Sequence, residues 1–211
     1  MKQENVRSGR FRPKLVIMVK APVAGAVKTR LAQSVGGTAA TSFYRHVAAR
    51  VISRLSKETR WETCLAIAPD NAIRAPIWPQ AIAKQPQGAG DLGSRMQRVF
   101  DLAPPGPVVI IGTDIPEIRP RHIADAFKSL GNHDAVFGPA DDGGYWLVGL
   151  KRFPMIISIF ANVRWSSEYT LRDTLANLEG RSVAMLEMLD DVDEMSSYRR
   201  LSGASGRLVL R

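Results

Sequence analysis

Three cations follow the first apolar segment of the chain at a spacing that suits phosphate binding. Residues 15–19 are apolar and run directly into a loop that contains Lys20, Gly25, Lys28 and Arg30. A helix is predicted to begin close behind this loop, so its unpaired N–H groups and positive dipole end would face the same place. We therefore predict that these four residues bind the phosphates of a substrate.

Common phosphate motifs do not match this loop. A P-loop requires glycine directly before the lysine and another glycine five residues earlier, but these positions are Val27 and Pro22. The G-x-G-x-x-G dinucleotide pattern is also absent from this turn. The alternative interpretation is an ordinary connection between strand and helix, with its cations in solvent. Three cations at one such turn favour phosphate binding over that alternative.

A carboxylate is predicted to lie near the phosphate loop. Residues 108–111 form a fully apolar strand, and Asp114 follows in the segment Gly-Thr-Asp-Ile-Pro. Ligands bind at the carboxyl ends of strands in open α/β sheets, which places Asp114 on the same edge as the loop. A carboxylate would repel a phosphate there unless Mg²⁺ or Mn²⁺ lay between them, so we predict that Asp114 ligates such a metal. The alternative is that Asp114 caps the next helix.

A second carboxylate, Asp193, is predicted to complete the metal site. It belongs to the acidic segment 190–194, which follows a short predicted strand. The pattern Asp-x-x-Ser at 193–196 is also typical of a helix N-cap, so capping is the alternative role.

Two acids followed by two glycines form a third candidate segment. Glycine lets a backbone approach a ligand closely, so we predict that substrate is bound by Asp141, Gly143, Gly144 and Tyr145. Asp142, within the same segment, is predicted to be catalytic. A tight hairpin turn is the alternative, because Asp-Gly is a strong hairpin signal.

Alternating strands and helices must position these residues. Strands are predicted at 15–19, 63–68, 108–111, 134–137, 145–150 and 183–186, with a further short strand in the irregular stretch 72–93. Helices are predicted from 31 to about 57, at 91–102, 120–130 and 166–178, and at the end of the chain. The main strands are apolar throughout, which predicts an α/β fold. Its form is a Rossmann-like three-layer α/β/α arrangement with a mainly parallel mixed sheet.

Composition and charge restrict the class of protein. The 211 residues, 45% of them hydrophobic, suit one domain at 15–211 behind a flexible basic tail at 1–14. The net charge of +9 lies partly in the tail and otherwise is spread among helices without interleaved aromatics, so nucleic acid is not a predicted partner. With one cysteine and no apolar run of membrane-spanning or signal-peptide length, a cytoplasmic location without a membrane span is predicted.

Five segments, in order, resemble a known family. They are VKAPVAGAVKTRLA, QGAGDLGSRM, VVIIGTDIPEI, DAVFGPADDGGYWLVGL and VRWSSEYTLRDTL. They resemble the uncharacterised bacterial transferase family of the GT-A, nucleotide-diphospho-sugar transferase fold, a relative of the phospholactate guanylyltransferases. The resemblance covers residues 15–201 and implies a nucleotide donor over the first strand, with Asp114 and Asp193 as metal ligands. Within the second segment, Gly90 and Asp91 are predicted to bind substrate.

The predicted function is metal-dependent transfer from a nucleotide donor to a small-molecule acceptor. Lys28, Asp114 and Asp142 are predicted to be catalytic, and the donor is a nucleoside triphosphate or a nucleotide sugar. Several cations in one loop suit a triphosphate and favour nucleotidyl over glycosyl transfer.

The alternative is a non-catalytic nucleotide-binding or regulatory module of the same fold. Related nucleotidyltransferases continue T-P-E-D-L after the second metal ligand, whereas this chain reads Glu-Met-Ser-Ser-Tyr at 194–198. This departure from the T-P-E-D-L pattern favours the non-catalytic module. A homodimer is compatible with the sequence under either function.

Overall fold

The computed structural model describes residues 11–189 of the 211-residue chain. The strands are β1 (Lys14–Lys20), β2 (Glu62–Ala68), β3 (Ala83–Pro86), β4 (Val108–Ile111), β5 (Ala135–Pro139), β6 (Tyr145–Leu150) and β7 (Val183–Met185). The helices are α1 (Thr29–Val35), α2 (Gly37–Leu55), α3 (Leu92–Leu102), α4 (Pro120–Ser129) and α5 (Thr170–Ala176), with a 3₁₀ helix at Asp70–Arg74.

The strands form one sheet in the order β3-β2-β1-β4-β6-β5-β7. Every neighbouring pair is parallel except the two that involve β6, which runs antiparallel to both β4 and β5. Because β6 is reversed, it begins at the edge where β1 and β4 end. The loops after β1 and β4 and the loop before β6 therefore meet at one edge of the sheet.

Helices cover both faces of this sheet. Leu15 and Ile17 of β1 are buried in a cluster that includes residues of α2 and α4, while Val16 is buried on the opposite face in a cluster with residues of α3. A strand that is buried on both faces must be apolar at successive positions, which is why the strands lack alternation. The predicted three-layer α/β/α arrangement with a mainly parallel mixed sheet is confirmed.

The long helix predicted from 31 to about 57 is wrong, because the chain breaks at Gly36. This residue has φ of 84°, a left-handed conformation that favours glycine, and it separates the seven-residue α1 from α2. The helix dipole that faces the first loop therefore belongs to α1, a helix of two turns, and not to the long helix predicted from the sequence. Any anion binding at this edge depends on the cationic side chains instead.

Two other predicted boundaries also differ from the structure. The helix predicted at 166–178 is shorter, because α5 begins only at Thr170 and Ser166 has a left-handed φ of 57°. Phe11 lies within the predicted tail, yet its ring centroid is 5.2 Å from that of Phe153. Residues 1–10 and the predicted C-terminal helix lie outside the described residues. Among residues 11–189, no helix combines the length and hydrophobicity needed to cross a membrane.

Candidate active site

The loop after β1 directs Lys28 toward the edge of β4. Val27 is buried in the core and anchors the loop, and Lys28 follows in a left-handed conformation with φ of 47° and ψ of 46°. A non-glycine residue in this region carries a cost of about 1–3 kcal/mol and persists only where its surroundings hold it. The Lys28 Nζ lies 2.9 Å from Asp114 Oδ1.

The two partners of this ion pair differ in their access to solvent. The Lys28 side chain is 6% exposed, whereas that of Asp114 is 47% exposed. Asp114 therefore presents a carboxylate to the cleft while a buried ammonium group supports it from behind. The alternative that Asp114 caps the next helix is wrong, because the N-cap of α4 is Arg119.

Tyr44 connects the first loop with the segment that carries Asp114. Its hydroxyl accepts a hydrogen bond from the Lys20 backbone N–H at 2.9 Å and donates one to the Lys20 carbonyl at 3.1 Å. The Thr113 hydroxyl donates to the same oxygen at 3.4 Å. Burial raises the pKa of Tyr44, so it stays a neutral phenol that can both donate and accept.

Sequence reasoning missed Tyr44, Thr113 and the buried Gln87. The Gln87 amide donates to the backbone carbonyls of Val19 and Ala66, and so ties the ends of β1 and β2 to the chain beyond β3. The sequence carried no signal for Gln87, because its burial and its backbone partners are set only by the folded structure.

A cleft of about 720 Å³ opens at this edge of the sheet. Six of the predicted site residues line it: Lys20, Lys28, Arg30, Asp114, Asp142 and Tyr145. The Tyr145 hydroxyl is buried, and the ring packs edge-on against Phe137 with 5.3 Å between the ring centroids. Burial raises the pKa of Tyr145 as well.

A second cavity of about 320 Å³ adjoins the first. Asp114, Asp142, Gly112 and Ser166 line both cavities, so these residues form the boundary between them. Gly144 lines the second cavity, and its N–H donates to Asp142 Oδ1 at 2.8 Å. The hairpin that the sequence offered as an alternative thus exists, and it presents Asp142 to both cavities.

The remaining predicted residues lie beside the cavities rather than in their walls. Asp91 caps α3 by accepting a hydrogen bond from the Ser94 N–H at 2.8 Å, and this bonding lowers the pKa of the Asp91 carboxyl. Gly25, Asp141 and Gly143 each adjoin a lining residue along the chain without lining either cavity themselves, and Gly90 lies two residues before the lining residue Leu92. Asp193 lies outside the described residues.

Gly143 holds the hairpin against the loop before α5. It has φ of 82°, and a Cβ added there would lie 2.3 Å from the Glu168 backbone oxygen. The Leu171 N–H also donates to the Gly143 carbonyl at 3.0 Å. The two loops that border the second cavity therefore touch backbone to backbone.

We expect Gly143→Ala to lower the free energy of unfolding by about 3 kcal/mol, because a strained φ and a backbone clash act together. Gly180→Ala is the matched control, since Gly180 has φ of 74° with nothing within 4 Å of an added Cβ. The control should lose only about 1 kcal/mol. Urea unfolding of both variants measures the difference, and equal losses would contradict the backbone contact.

An ion pair closes the loop that carries Trp165 and Ser166. Asp173 Oδ2 accepts hydrogen bonds from the Arg164 N–H and Nε–H at 3.0 and 2.8 Å, and Oδ1 accepts one from Nη2 at 2.8 Å. The Arg164 guanidinium also lies 4.0 Å from the centre of the Tyr169 ring. The hydrogen bonds from Arg164 lower the pKa of Asp173 from 3.8 to about 2.

This pKa shift predicts how the loop responds to acid. Because the folded pKa is depressed, the contribution of Asp173 is complete above pH 3.8 and is lost as the pH falls through about 2. We expect acrylamide quenching of Trp165 to be constant from neutral pH to about pH 4 and to rise below it. Asp173→Asn should show the higher quenching already at pH 7. Equal quenching of the two proteins at pH 7 would contradict this.

Comparison with known proteins places this site in a family. A family model described as an uncharacterized protein conserved in bacteria (DUF2064) matches residues 51–167, more than half of the chain. The chain belongs to this family. The match contains Asp114 and Asp142, whereas the cations of the first loop precede it.

Relatives of this DUF2064 protein include transferases. The chain is 26% identical over 148 residues to 2-phospho-L-lactate guanylyltransferase of Methanocaldococcus jannaschii, a match that covers 68% of this chain and 62% of the relative. The alignment thus spans less than two thirds of that relative's length.

Solved structures share the fold. A protein of Desulfovibrio desulfuricans G20, described as a nucleotide-diphospho-sugar transferase, has a TM-score of 0.80 and 28% identity, covering 92% of this chain and 88% of that one. Rv0371c of Mycobacterium tuberculosis H37Rv, solved in complex with manganese, has a TM-score of 0.55 and 16% identity, covering 91% and 98%. The resemblance to the GT-A family inferred from the motifs is confirmed.

Proposed function

We propose that this chain is a metal-dependent transferase that uses a nucleotide donor, and that its reaction is nucleotidyl transfer. The observation that carries the proposal is the pair formed by buried Lys28 and half-exposed Asp114 at the wall of the large cleft. Two similar proteins support it, because one is a guanylyltransferase and the other is described as a nucleotide-diphospho-sugar transferase.

The cations of the first loop would bind the donor phosphates. Lys20 and Arg30 are exposed residues that line the cleft, and Lys28 is buried at its wall. A buried cation acts in a medium of lower effective dielectric constant than water, so its attraction for phosphate is stronger than that of an exposed one. Lys28 is therefore the cation that contributes most in the proposed reaction.

The Asp114 carboxylate at the boundary of the two cavities would suit a hard divalent cation. Asp114 is half exposed at the wall of the cleft, with Lys28 Nζ 2.9 Å from Oδ1, and this accessibility supports the proposal that it ligates a cation. Within residues 11–189, no three His, Cys, Asp or Glu side chains come together as a metal cage. Mg²⁺ needs no such cage, because one or two carboxylates and the substrate phosphates suffice. Asp114 would hold Mg²⁺ or Mn²⁺, which when bound would neutralise charge on the donor phosphates. Asp142 keeps the catalytic role that the sequence predicted for it.

The proposed step is an in-line displacement at the α-phosphorus of the donor. The acceptor oxygen attacks the α-phosphorus and forms a P–O bond, while the bond from this phosphorus to the oxygen bridging to the β-phosphate breaks. Pyrophosphate leaves, and Lys28 with Lys20 and Arg30 stabilises its growing negative charge. The acceptor proton passes to the Asp142 carboxylate, which lines both cavities.

Donor binding tests the proposal directly. We expect a nucleoside triphosphate, with GTP first because of the guanylyltransferase relative, to raise the melting temperature only when Mg²⁺ or Mn²⁺ is present. Release of pyrophosphate with an acceptor would then establish nucleotidyl transfer, whereas release of a nucleoside diphosphate from a nucleotide sugar would establish glycosyl transfer. No stabilisation by any nucleotide would overturn both versions. Stabilisation independent of metal, with no product, would favour the non-catalytic module.

A further inference from the structure

Two cations compete for the Asp114 carboxylate. Lys28 Nζ lies 2.9 Å from Asp114 Oδ1, and the proposed function assigns the same carboxylate to a divalent cation. A metal bound by either oxygen of this carboxylate would lie beside the ammonium group, and like charges at such short range repel each other. Lys28 and the metal are therefore competitors for Asp114.

The two members of the ion pair differ in how readily each can lose its partner. Asp114 is half exposed, so water can solvate its carboxylate when the pair opens. The Lys28 side chain is only 6% exposed, and a buried charge without a counter-charge carries a large desolvation cost. Lys28 can therefore leave Asp114 only when another anion takes the place of the carboxylate.

The large cleft is where such an anion would bind. Lys28 lines it together with Lys20 and Arg30, the other cations proposed to bind the donor phosphates. The acids Asp142 and Glu168 line it as well, but the ammonium group is paired with Asp114. A lysine carries a compact charge on a flexible four-carbon stem, so rotation of the side chain can bring Nζ from the carboxylate to a phosphate in the same cleft.

We propose that Lys28 keeps the metal from Asp114 until donor phosphates are bound. The ammonium group holds the carboxylate in the free protein, moves to the phosphates when they enter the cleft, and leaves Asp114 to the metal. This inference rests on the proposed function and adds regulation of its site, because the metal binds with the nucleotide or after it and not before. Lys28 thereby couples the two ligands.

The proposal gives Lys28 effects of opposite sign on metal affinity. Without nucleotide the ammonium group lowers the affinity of Asp114 for metal, whereas with nucleotide it binds the phosphates and the competition ends. A lysine that only bound phosphates would leave the nucleotide-free affinity unchanged. A lysine that only positioned Asp114 as a ligand would raise that affinity, and its removal would lower it. The sign of the change on removing Lys28 distinguishes these roles.

Mn²⁺ binding to the full chain without nucleotide tests the proposal, with free Mn²⁺ measured by electron paramagnetic resonance. We expect Lys28→Met and Lys28→Gln, which both remove the charge, to bind Mn²⁺ about tenfold more tightly than the wild type, within the range of about 5- to 150-fold typical of coupled sites. Two variants with different side chains guard against a folding defect in one of them.

Lys20→Met is the matched control, because Lys20 is an exposed cation that lines the same cleft. Salt screens exposed charges, so at physiological ionic strength this variant should change the affinity for Mn²⁺ by less than about threefold. An equal gain in Lys20→Met would overturn the proposal. Unchanged, lower or undetectable Mn²⁺ affinity in both Lys28 variants would overturn it as well.

A double variant shows where the gain arises. Lys28→Met combined with Asp114→Asn should bind nucleotide-free Mn²⁺ no more tightly than Asp114→Asn alone, and a gain that persists would overturn competition for Asp114. If no nucleotide binds, the proposed function is overturned, while a gain in the Lys28 variants would still support the competition. Nucleotide binding and product formation without that gain would keep the function and overturn this inference.

Discussion

Asp114→Asn is expected to abolish metal-linked nucleotide binding while the fold is retained. Asparagine keeps an oxygen that can accept from Lys28 Nζ, and position 114 is half exposed, so little packing is lost. It removes the negative charge on which a hard divalent cation depends. Loss of groups that merely support a metal ligand already lowers metal affinity by about 10–100-fold, so loss of the ligand charge should exceed about 100-fold.

A metal titration in the presence of GTP measures this effect, with thermal stability recorded alongside. Asp125→Asn is the matched control, because Asp125 is an exposed carboxylate on α4 outside both cavity linings. The control should bind metal and nucleotide like the wild type. If Asp114→Asn and the wild type show the same metal-linked affinity, Asp114 has only a structural role and the proposed metal site is wrong.

Lys28→Met is expected to lower kcat/KM for pyrophosphate release by about 10²–10³, the usual effect of removing one preorganised group that stabilises developing charge. Methionine keeps an unbranched apolar stem, so the packing of this buried side chain is largely preserved. Asp114 is left without its ammonium partner, but its exposure lets water solvate the carboxylate. The loss should therefore appear in activity more than in the free energy of unfolding.

The double variant Lys28→Met with Asp114→Asn separates a joint role from two independent ones. Substitutions of residues that act as a unit have non-additive effects on activity. We therefore expect the kcat/KM of the double variant to be about that of the less active single variant. Lys128→Met, at an exposed position of α4 outside the cavities, is the control and should keep wild-type kinetics. Wild-type kcat/KM in Lys28→Met would contradict the assigned role.

The sequence by itself determined which loops meet at the functional edge. Apolar strands without alternation require helices on both faces, and such sheets are mainly parallel. Once the sheet is parallel, residues that follow β1 and β4 must share an edge, and this placed the cations of the first loop near Asp114 before any contact was known. These inferences depend only on the strands being parallel, and the unbroken apolar sequence of each strand predicts that arrangement.

Only the tertiary structure decided how the side chains are arranged. The left-handed backbone at Gly36 and Lys28, the 2.9 Å contact from Lys28 to Asp114, and the hydroxyl of Tyr44 between two loops all depend on partners distant in the sequence. The division into a large cleft and a second cavity, with Asp114 and Asp142 lining both, is likewise a property of assembled loops. Local patterns cannot report such features, because the free energy that selects each conformation comes from contacts formed only when the chain has folded.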